Sequence, residues 1–268
     1  MEWVYPGVIT AARGLFAAQG LKFTVTGAEH VPRSGGAVMV VNHTGYMDFT
    51  YAGYAAWPAR RFVRFMAKES VFTHKVSGPL MRAMKHIPVD RSAGAASYGQ
   101  AVRFLRAGEI VGVFPEATIS RSFELKGFKS GAARMAQEAG VPMLPVVIWG
   151  SQRVWTKGHP KRLGRTTVPI SMAVGEPIPV APGENVDDAT AKVHDVMSAM
   201  LHSLQDAYEP LVDDDLTFQP ARLGGTAPTL DAANELDDQE RREAIRRASA
   251  ARKAERAAAA AGEDHRTG

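Results

Sequence analysis

The chain has 268 residues, enough for one large α/β domain or two small ones. Its 45% of hydrophobic and 22% of charged residues are typical of a globular protein with a sizeable core, which excludes a disordered or fibrous chain. It contains no cysteine, which excludes disulfides, thiolate metal sites and a cysteine nucleophile, and its net charge of +4 favours an anionic partner.

Residues 1–20 predict an amphipathic helix. Arg13 interrupts the apolar residues well short of the roughly 20 that a membrane span requires. Trp3 and Tyr5 suit a membrane interface, so we interpret the segment as a membrane-associating helix. The alternative is that its apolar face packs on the protein's own core. The face consists of five residues that fall within one sector of a helical wheel: Val8, Ile9, Ala12, Leu15 and Phe16.

Strand-like and helix-like segments alternate along residues 21–210. This alternation predicts an α/β fold, a single domain with a mostly parallel central sheet flanked by helices. Residues 211–230 form an extension, and residues 231–268 form a tail rich in Ala, Arg and Glu that predicts a solvated helix or a disordered segment. The predicted strands are 22–26, 37–41, 61–67, 110–114, 143–149 and 167–174, and the predicted helices are 48–56, 79–85, 95–107, 128–139 and 187–208.

The most informative segment is V-M-V-V-N-H-T-G-Y-M-D-F, in which a buried strand runs into His43 and Asp48. Five steps along an α-helix turn a side chain by about 500°, so the two residues cannot share a helical face. We expect His43 to lie in the turn after the strand, with the chain curling back to bring Asp48 against it. Asp48 would then fix the imidazole tautomer and leave the other nitrogen to take a proton from a hydroxyl. The simpler alternative is a loop histidine bonded to a local carboxylate.

The segment N-H-T-G-Y-M-D-F resembles the H-x-x-x-x-D motif of the glycerolipid acyltransferases, the family that includes the lysophosphatidate acyltransferases. Three later segments are similar to that family's remaining blocks in the same order: I-P-V-D-R-S, F-P-E-A-T-I-S and V-P-M-L-P-V-V. The resemblance implies an acyl-CoA donor and a lysophospholipid acceptor, with His43 and Asp48 as the catalytic residues. It also implies that acyl-CoA is a substrate, and that no covalent acyl-enzyme, metal or cofactor is needed.

The resemblance also implies a substrate-binding site. Arg91 of the second block is expected to bind phosphate through its planar guanidinium. Glu116 and Thr118 of the third block are expected to hold glycerol hydroxyls or to orient basic neighbours, on the same sheet edge as His43 if the strands are parallel. Alternatively, Arg91 forms an exposed salt bridge, and Glu116 is a solvated residue at the end of a strand.

The third block departs from the family pattern F-P-E-G-T-R-S at two positions. Ala117 stands where the family has glycine, and Ile119 stands where an arginine is expected to contact phosphate. We therefore hypothesise that a nearby cation takes over this contact, or that the acceptor is a different lysolipid. The candidate cations are Arg121, Lys126 and Lys129. The predicted substrate-binding set is Arg91, Glu116, Ala117, Thr118, Arg121 and Lys126.

The fourth block, with Pro142 and Pro145, predicts scaffold rather than chemistry, because proline neither donates nor titrates. The remaining histidines have no spacing typical of a metal site, so we interpret them as structural or surface residues.

A lysolipid acceptor predicts peripheral or monotopic binding to an anionic membrane, at the cytoplasmic face of the cell membrane. Besides the N-terminal helix, the candidate docking residues are Trp57, Arg60, Arg61 and the segment 71–81. Three alternative functions remain: acylation of another glycerolipid or a glycolipid, thioester hydrolysis, and lipid binding without catalysis. No nucleic-acid partner is expected, because the basic residues of the core are not interleaved with aromatic ones.

Overall fold

The computed structural model describes residues 3–90 and 94–264, with side chains described to residue 250. The strands are β1 (Lys22–Thr26), β2 (Ala37–Val41), β3 (Val63–Lys68), β4 (Ile87–Val89), β5 (Ile110–Val113), β6 (Met143–Trp149) and β7 (Pro169–Val174). The α-helices are α1 (Val4–Gln19), α2 (Asp48–Ala56), α3 (Glu69–Thr73), α4 (Ser77–Ala83), α5 (Gly94–Arg106), α6 (Gly131–Ala139), α7 (Val186–Asp206) and α8 (Leu230–Asp264).

The strands form one sheet in the order β1-β7-β6-β2-β5-β3-β4. Every neighbouring pair is parallel except β6 and β7, which are antiparallel. Val38 in the central strand β2 pairs with Val111 of β5 on one side and with Met143 of β6 on the other. The predicted α/β fold with a mostly parallel sheet is confirmed.

Helices cover both faces of this sheet, which explains why the central strands are continuous apolar runs. The side chains of β2 alternate between two cores. Val38 and Val40 pack in the core that contains residues of α5, α6 and α7, whereas Met39 and Val41 pack in the core under α1 and α2. Because successive side chains of a strand point to opposite faces of the sheet, β2 contributes apolar side chains to both cores.

The N-terminal helix is present, and most of its apolar face packs on the protein. Phe16 is buried and Ala12 packs beside it, while Val8 and Ile9 pack against a small cluster made with α3 and α4. Leu15, which we predicted on the same face, is half exposed. The helix ends at Gly20, whose φ of 71° suits a residue without a side chain.

The predicted element list is wrong in two places. Strand β4 was not predicted, because it is only three residues long and contains Pro88, which is tolerated on an edge strand. Helix α3 was also missed, since five residues show no helical period. The tail adopts the helical alternative, α8, and its Ala233 is fully buried. None of the described helices has the length and apolar character that crossing a membrane requires.

Candidate active site

Three neighbouring parallel strands deliver the polar residues of the site. His43 follows the central strand β2, Glu116 follows β5, and Ser151 follows β6. Because parallel strands share one carboxyl edge, the three side chains meet above the middle of the sheet. The prediction that Glu116 lies on the same edge as His43 is confirmed.

The Asp48 carboxylate is fully buried and is held by several donors. Its Oδ2 atom lies 3.0 Å from the ring nitrogen Nδ1 of His43, within hydrogen-bonding distance. The same oxygen accepts hydrogen bonds from the backbone N–H groups of Thr44 and Gly45, each at 2.8 Å. Asp48 is also the first residue of α2, where the positive end of the helix dipole favours a negative charge. The turn between β2 and α2 therefore closes around this carboxylate.

Ser151 completes the environment of Asp48, and sequence reasoning missed it. Its hydroxyl donates to the other carboxylate oxygen, Oδ1, and lies 3.1 Å from the hydroxyl of Thr44. A methyl group added at Gly45 would stand only 2.7 Å from this hydroxyl, so glycine is required for the close approach. The available signal was its position just past a strand parallel to β2.

The His43 ring stacks on Phe114, with the ring centroids 4.3 Å apart. Its side chain is 21% exposed, so one edge of the ring reaches solvent. Neutral imidazole with Nδ1 bonded to a carboxylate carries its proton there, which leaves Nε2 as the proton acceptor. Stacking on Phe114 and the hydrogen bond at Nδ1 together fix the orientation of the His43 ring.

Glu116 is buried and braces the backbone of the site. It accepts hydrogen bonds from the backbone N–H of His43 at 2.8 Å and of Lys126 at 3.1 Å. Burial raises the pKa of Glu116 to about 8, because desolvation outweighs the two backbone hydrogen bonds, which lower it. The geometry favours a positioning role for Glu116 over direct contact with glycerol hydroxyls.

The two departures in the third block have different structural consequences. Ala117 has a φ of 61°, in the left-handed region where glycine is favoured, so the backbone keeps the conformation that the family's glycine suits. Ile119 is buried, so its position offers no cation at the surface of the site. Thr118 between them is half buried.

The nearby cations are engaged by helix α8. Arg121 and Lys126 both contact the carboxylate of Asp237, and Arg121 also pairs with Glu240. Lys157, which sequence reasoning missed, joins the same two carboxylates. We call Arg121, Lys126 and Lys157 the cation cluster. Lys129 is exposed, and Arg91 lies outside the described residues.

The other histidines in the described part of the chain do not join the site. His86 is buried and accepts the backbone N–H of Phe65, and burial lowers its pKa to about 4. His30 bonds the backbone carbonyl of Val174. No three acidic or histidine side chains of the described residues are placed to hold a metal ion together.

Comparison with known proteins finds acyltransferases that are similar to this chain. The Acyltransferase family model matches residues 22–149. The 1-acyl-sn-glycerol-3-phosphate acyltransferase of Bacillus subtilis is 30% identical over 175 residues, which cover 64% of this chain and 77% of that protein. The enzyme of the same name from Limnanthes douglasii is 30% identical over 183 residues, which cover 66% and 62% of the two chains.

A solved structure shares the fold. The crystal structure of the 1-acyl-sn-glycerophosphate (LPA) acyltransferase PlsC from Thermotoga maritima matches with a TM-score of 0.60 and 23% identity, covering 74% of this chain and 81% of that one. The chain spans between about half and three quarters of the length of the curated relatives that it matches.

The fold and the comparisons together define an acyltransferase domain of the α/β class. The chain belongs to the glycerolipid acyltransferase family, as the 30% identity over most of the Bacillus protein shows.

Proposed function

We propose that this protein transfers a fatty acyl group from acyl-CoA to the free hydroxyl of a lysophospholipid, with lysophosphatidate as acceptor and phosphatidate as product. The observation that carries the proposal is the 3.0 Å contact between His43 Nδ1 and the buried Asp48. This contact leaves His43 Nε2 free to act as a general base.

The reaction proceeds by direct transfer. The acceptor hydroxyl gives its proton to His43 Nε2 while its oxygen attacks the thioester carbonyl carbon. The tetrahedral intermediate collapses, the carbon–sulfur bond breaks, and the leaving thiolate takes the proton back from His43. Asp48 stays ionised and stabilises the imidazolium, and no metal or cofactor takes part.

An apolar pocket beside the site supports a long-chain substrate. It lies between α1, α2 and β3, and Phe49, Phe65 and Ile9 are among its lining residues. Phe49 follows Asp48 directly in the chain. Phe65 stacks on Phe114, whose ring also stacks on that of His43. We assign the acyl chain to this pocket, since Phe65 in its wall contacts Phe114, which in turn stacks on the His43 ring.

We also propose peripheral binding to an anionic membrane, at the cytoplasmic face. Trp3 and Val4 at the start of α1 are exposed, as are Val76 and Leu80 at the start and in the middle of α4, and these segments pack together through Tyr5. Arg61 is not part of this surface, because its guanidinium donates to the backbone carbonyls of residues 32, 35 and 108.

The deciding experiment follows coenzyme A release from palmitoyl-CoA with and without lysophosphatidate. Acceptor-dependent release that falls by about 10²- to 10⁴-fold in His43→Ala supports the proposal. His194→Ala, a substitution on α7, is the matched control and should retain activity. Release that does not need the acceptor would indicate a thioesterase, and an absence of release with any lysolipid would indicate a binding protein.

A further inference from the structure

The cation cluster lies beside the catalytic base. The backbone N–H of Lys126 donates to the Glu116 carboxyl group, which also accepts the backbone N–H of His43. Arg121 follows Ser120, whose backbone N–H donates to the His43 carbonyl at 2.7 Å. Lys157 follows Thr156, whose hydroxyl donates to the Thr44 carbonyl. Each of the three cations is therefore one or two contacts away from the catalytic turn.

These cations converge on one carboxylate. The Nζ atom of Lys126 lies 2.5 Å from Asp237, the Nζ atom of Lys157 lies 2.7 Å from it, and the Nε atom of Arg121 lies 3.3 Å from it. Glu240 adds a second carboxylate, paired with Arg121 and Lys157. All three cations are mostly buried, between 11% and 19% exposed, so this is a built anion site.

Beyond its first residue, the half-buried Leu230, the described side chains of α8 contact the domain largely through charged groups. Between residues 231 and 250, only Ala233 is buried, and only Asp237 is half buried. Ala233 carries a single methyl group, so little apolar burial holds the helix there. Separating these buried cations from Asp237 is costly only if they are left unpaired, and an anion of similar charge that takes its place restores the pairing. An incoming anion can therefore compete with this segment.

The two carboxylates carry a charge of −2, which is close to that of a phosphate monoester at neutral pH. We propose that Arg121, Lys126 and Lys157 bind the phosphate group of the acceptor, and that Asp237 and Glu240 of α8 occupy this site until the acceptor displaces them. Helix α8 is then an intramolecular competitor of a phosphate-bearing lysolipid. The inference rests on the proposed function for the identity of the acceptor.

The first test compares acceptor kinetics. In the full chain, D237N/E240Q removes the competing charge and should lower the KM for lysophosphatidate by about fivefold to tenfold. The KM for monooleoylglycerol, which has no phosphate, should not change. D238N/E243Q is the matched control, because these carboxylates pair with Arg241 and Arg247 within α8. An equal KM for lysophosphatidate in D237N/E240Q and the wild type would overturn the inference.

A second test does not depend on turnover. The chain has no cysteine, so Ser249→Cys on α8 and Glu176→Cys on the domain give two unique label sites. We expect sn-glycerol 3-phosphate to change the distance between the labels, whereas sodium chloride of equal ionic strength changes it less. D237N/E240Q should show the changed distance without ligand. An unchanged distance under all conditions would contradict the inference.

The two tests separate this inference from the proposed function. Displacement of α8 by glycerol phosphate without any acyl transfer would contradict the proposed function alone. Normal acyl transfer with an immobile α8 would contradict only the inference that α8 competes with the acceptor. Lys157→Glu reports on the site itself, because it should raise the KM for lysophosphatidate and leave that for monooleoylglycerol unchanged.

Discussion

The backbone N–H of His43 donates a 2.8 Å hydrogen bond to the carboxyl group of Glu116. The two residues follow neighbouring strands, β2 and β5, so this bond joins the turn between β2 and α2 to the segment after β5. It makes Glu116 a residue whose protonation is linked both to the stability of the domain and to the position of His43.

The first prediction concerns pH and stability. Burial raises the pKa of Glu116 from 4.5 to about 8, so between these values the folded chain holds a proton that the unfolded chain releases. This contribution to the free energy of unfolding is present below about pH 4.5 and is lost as the pH rises through about 8, by at most about 1.4 kcal/mol per pH unit. Urea unfolding of the wild type and Glu116→Gln over this range measures it.

In Glu116→Gln the pH-dependent decline should be smaller by this amount. Glu176→Gln, at an exposed position, should keep the decline of the wild type. Identical pH profiles for the wild type and Glu116→Gln would show that Glu116 is ionised throughout.

The second prediction concerns Ser151. Ser151→Ala removes the hydroxyl that donates to Asp48 Oδ1. Because outer hydrogen bonds orient a catalytic carboxylate, we expect kcat for acyl transfer to fall by about 10- to 100-fold while the KM for acyl-CoA changes little. Ser249→Ala, on the exposed part of α8, is the control. A wild-type kcat in Ser151→Ala would mean that the backbone N–H groups alone hold Asp48.

The third prediction concerns Ala117. Its φ of 61° costs an alanine about 1–2 kcal/mol, whereas glycine adopts it freely. Glycine also gives the unfolded chain more freedom, so Ala117→Gly should raise the free energy of unfolding by up to about 1 kcal/mol. Thermal or urea unfolding measures this change. Ala11→Gly, on the exposed side of α1, should instead lower it by about 1 kcal/mol. A loss of stability in Ala117→Gly would contradict the strain argument.

The fourth prediction concerns the membrane. Trp3 is 78% exposed at the start of α1, so Trp3→Ser should lower the fraction of protein that sediments with anionic liposomes. Val212→Ser, also at an exposed apolar residue, should not. Equal sedimentation with neutral and anionic liposomes at low salt would argue against the electrostatic part of binding.

The local pattern predicted most of the fold. The buried strand before His43 and the five-residue spacing to Asp48 were sufficient to predict a turn that brings the two together, and the structure confirms this contact. The parallel sheet followed from alternating strands and helices, so the shared edge of His43 and Glu116 was also predictable.

Contacts between distant segments were not predictable in this way. Ser151 is 103 residues from Asp48, and its hydroxyl donates to that carboxylate only because β6 lies beside β2. Asp237 is 111 residues from Lys126, in a tail that we expected to stay in solvent. A single sequence carries no signal for strand order or for ion pairs at such separations.

The central position of β2 has a consequence for how the domain opens. The site depends on β2, β5 and β6, which are three adjacent strands, whereas β1 and β4 lie at the two edges of the sheet. Edge strands unfold locally before central ones, so the edges can fray while the turn between β2 and α2 stays intact. In hydrogen exchange, the amides of β2 should open only with global unfolding, and activity should therefore persist in denaturant until the whole domain unfolds.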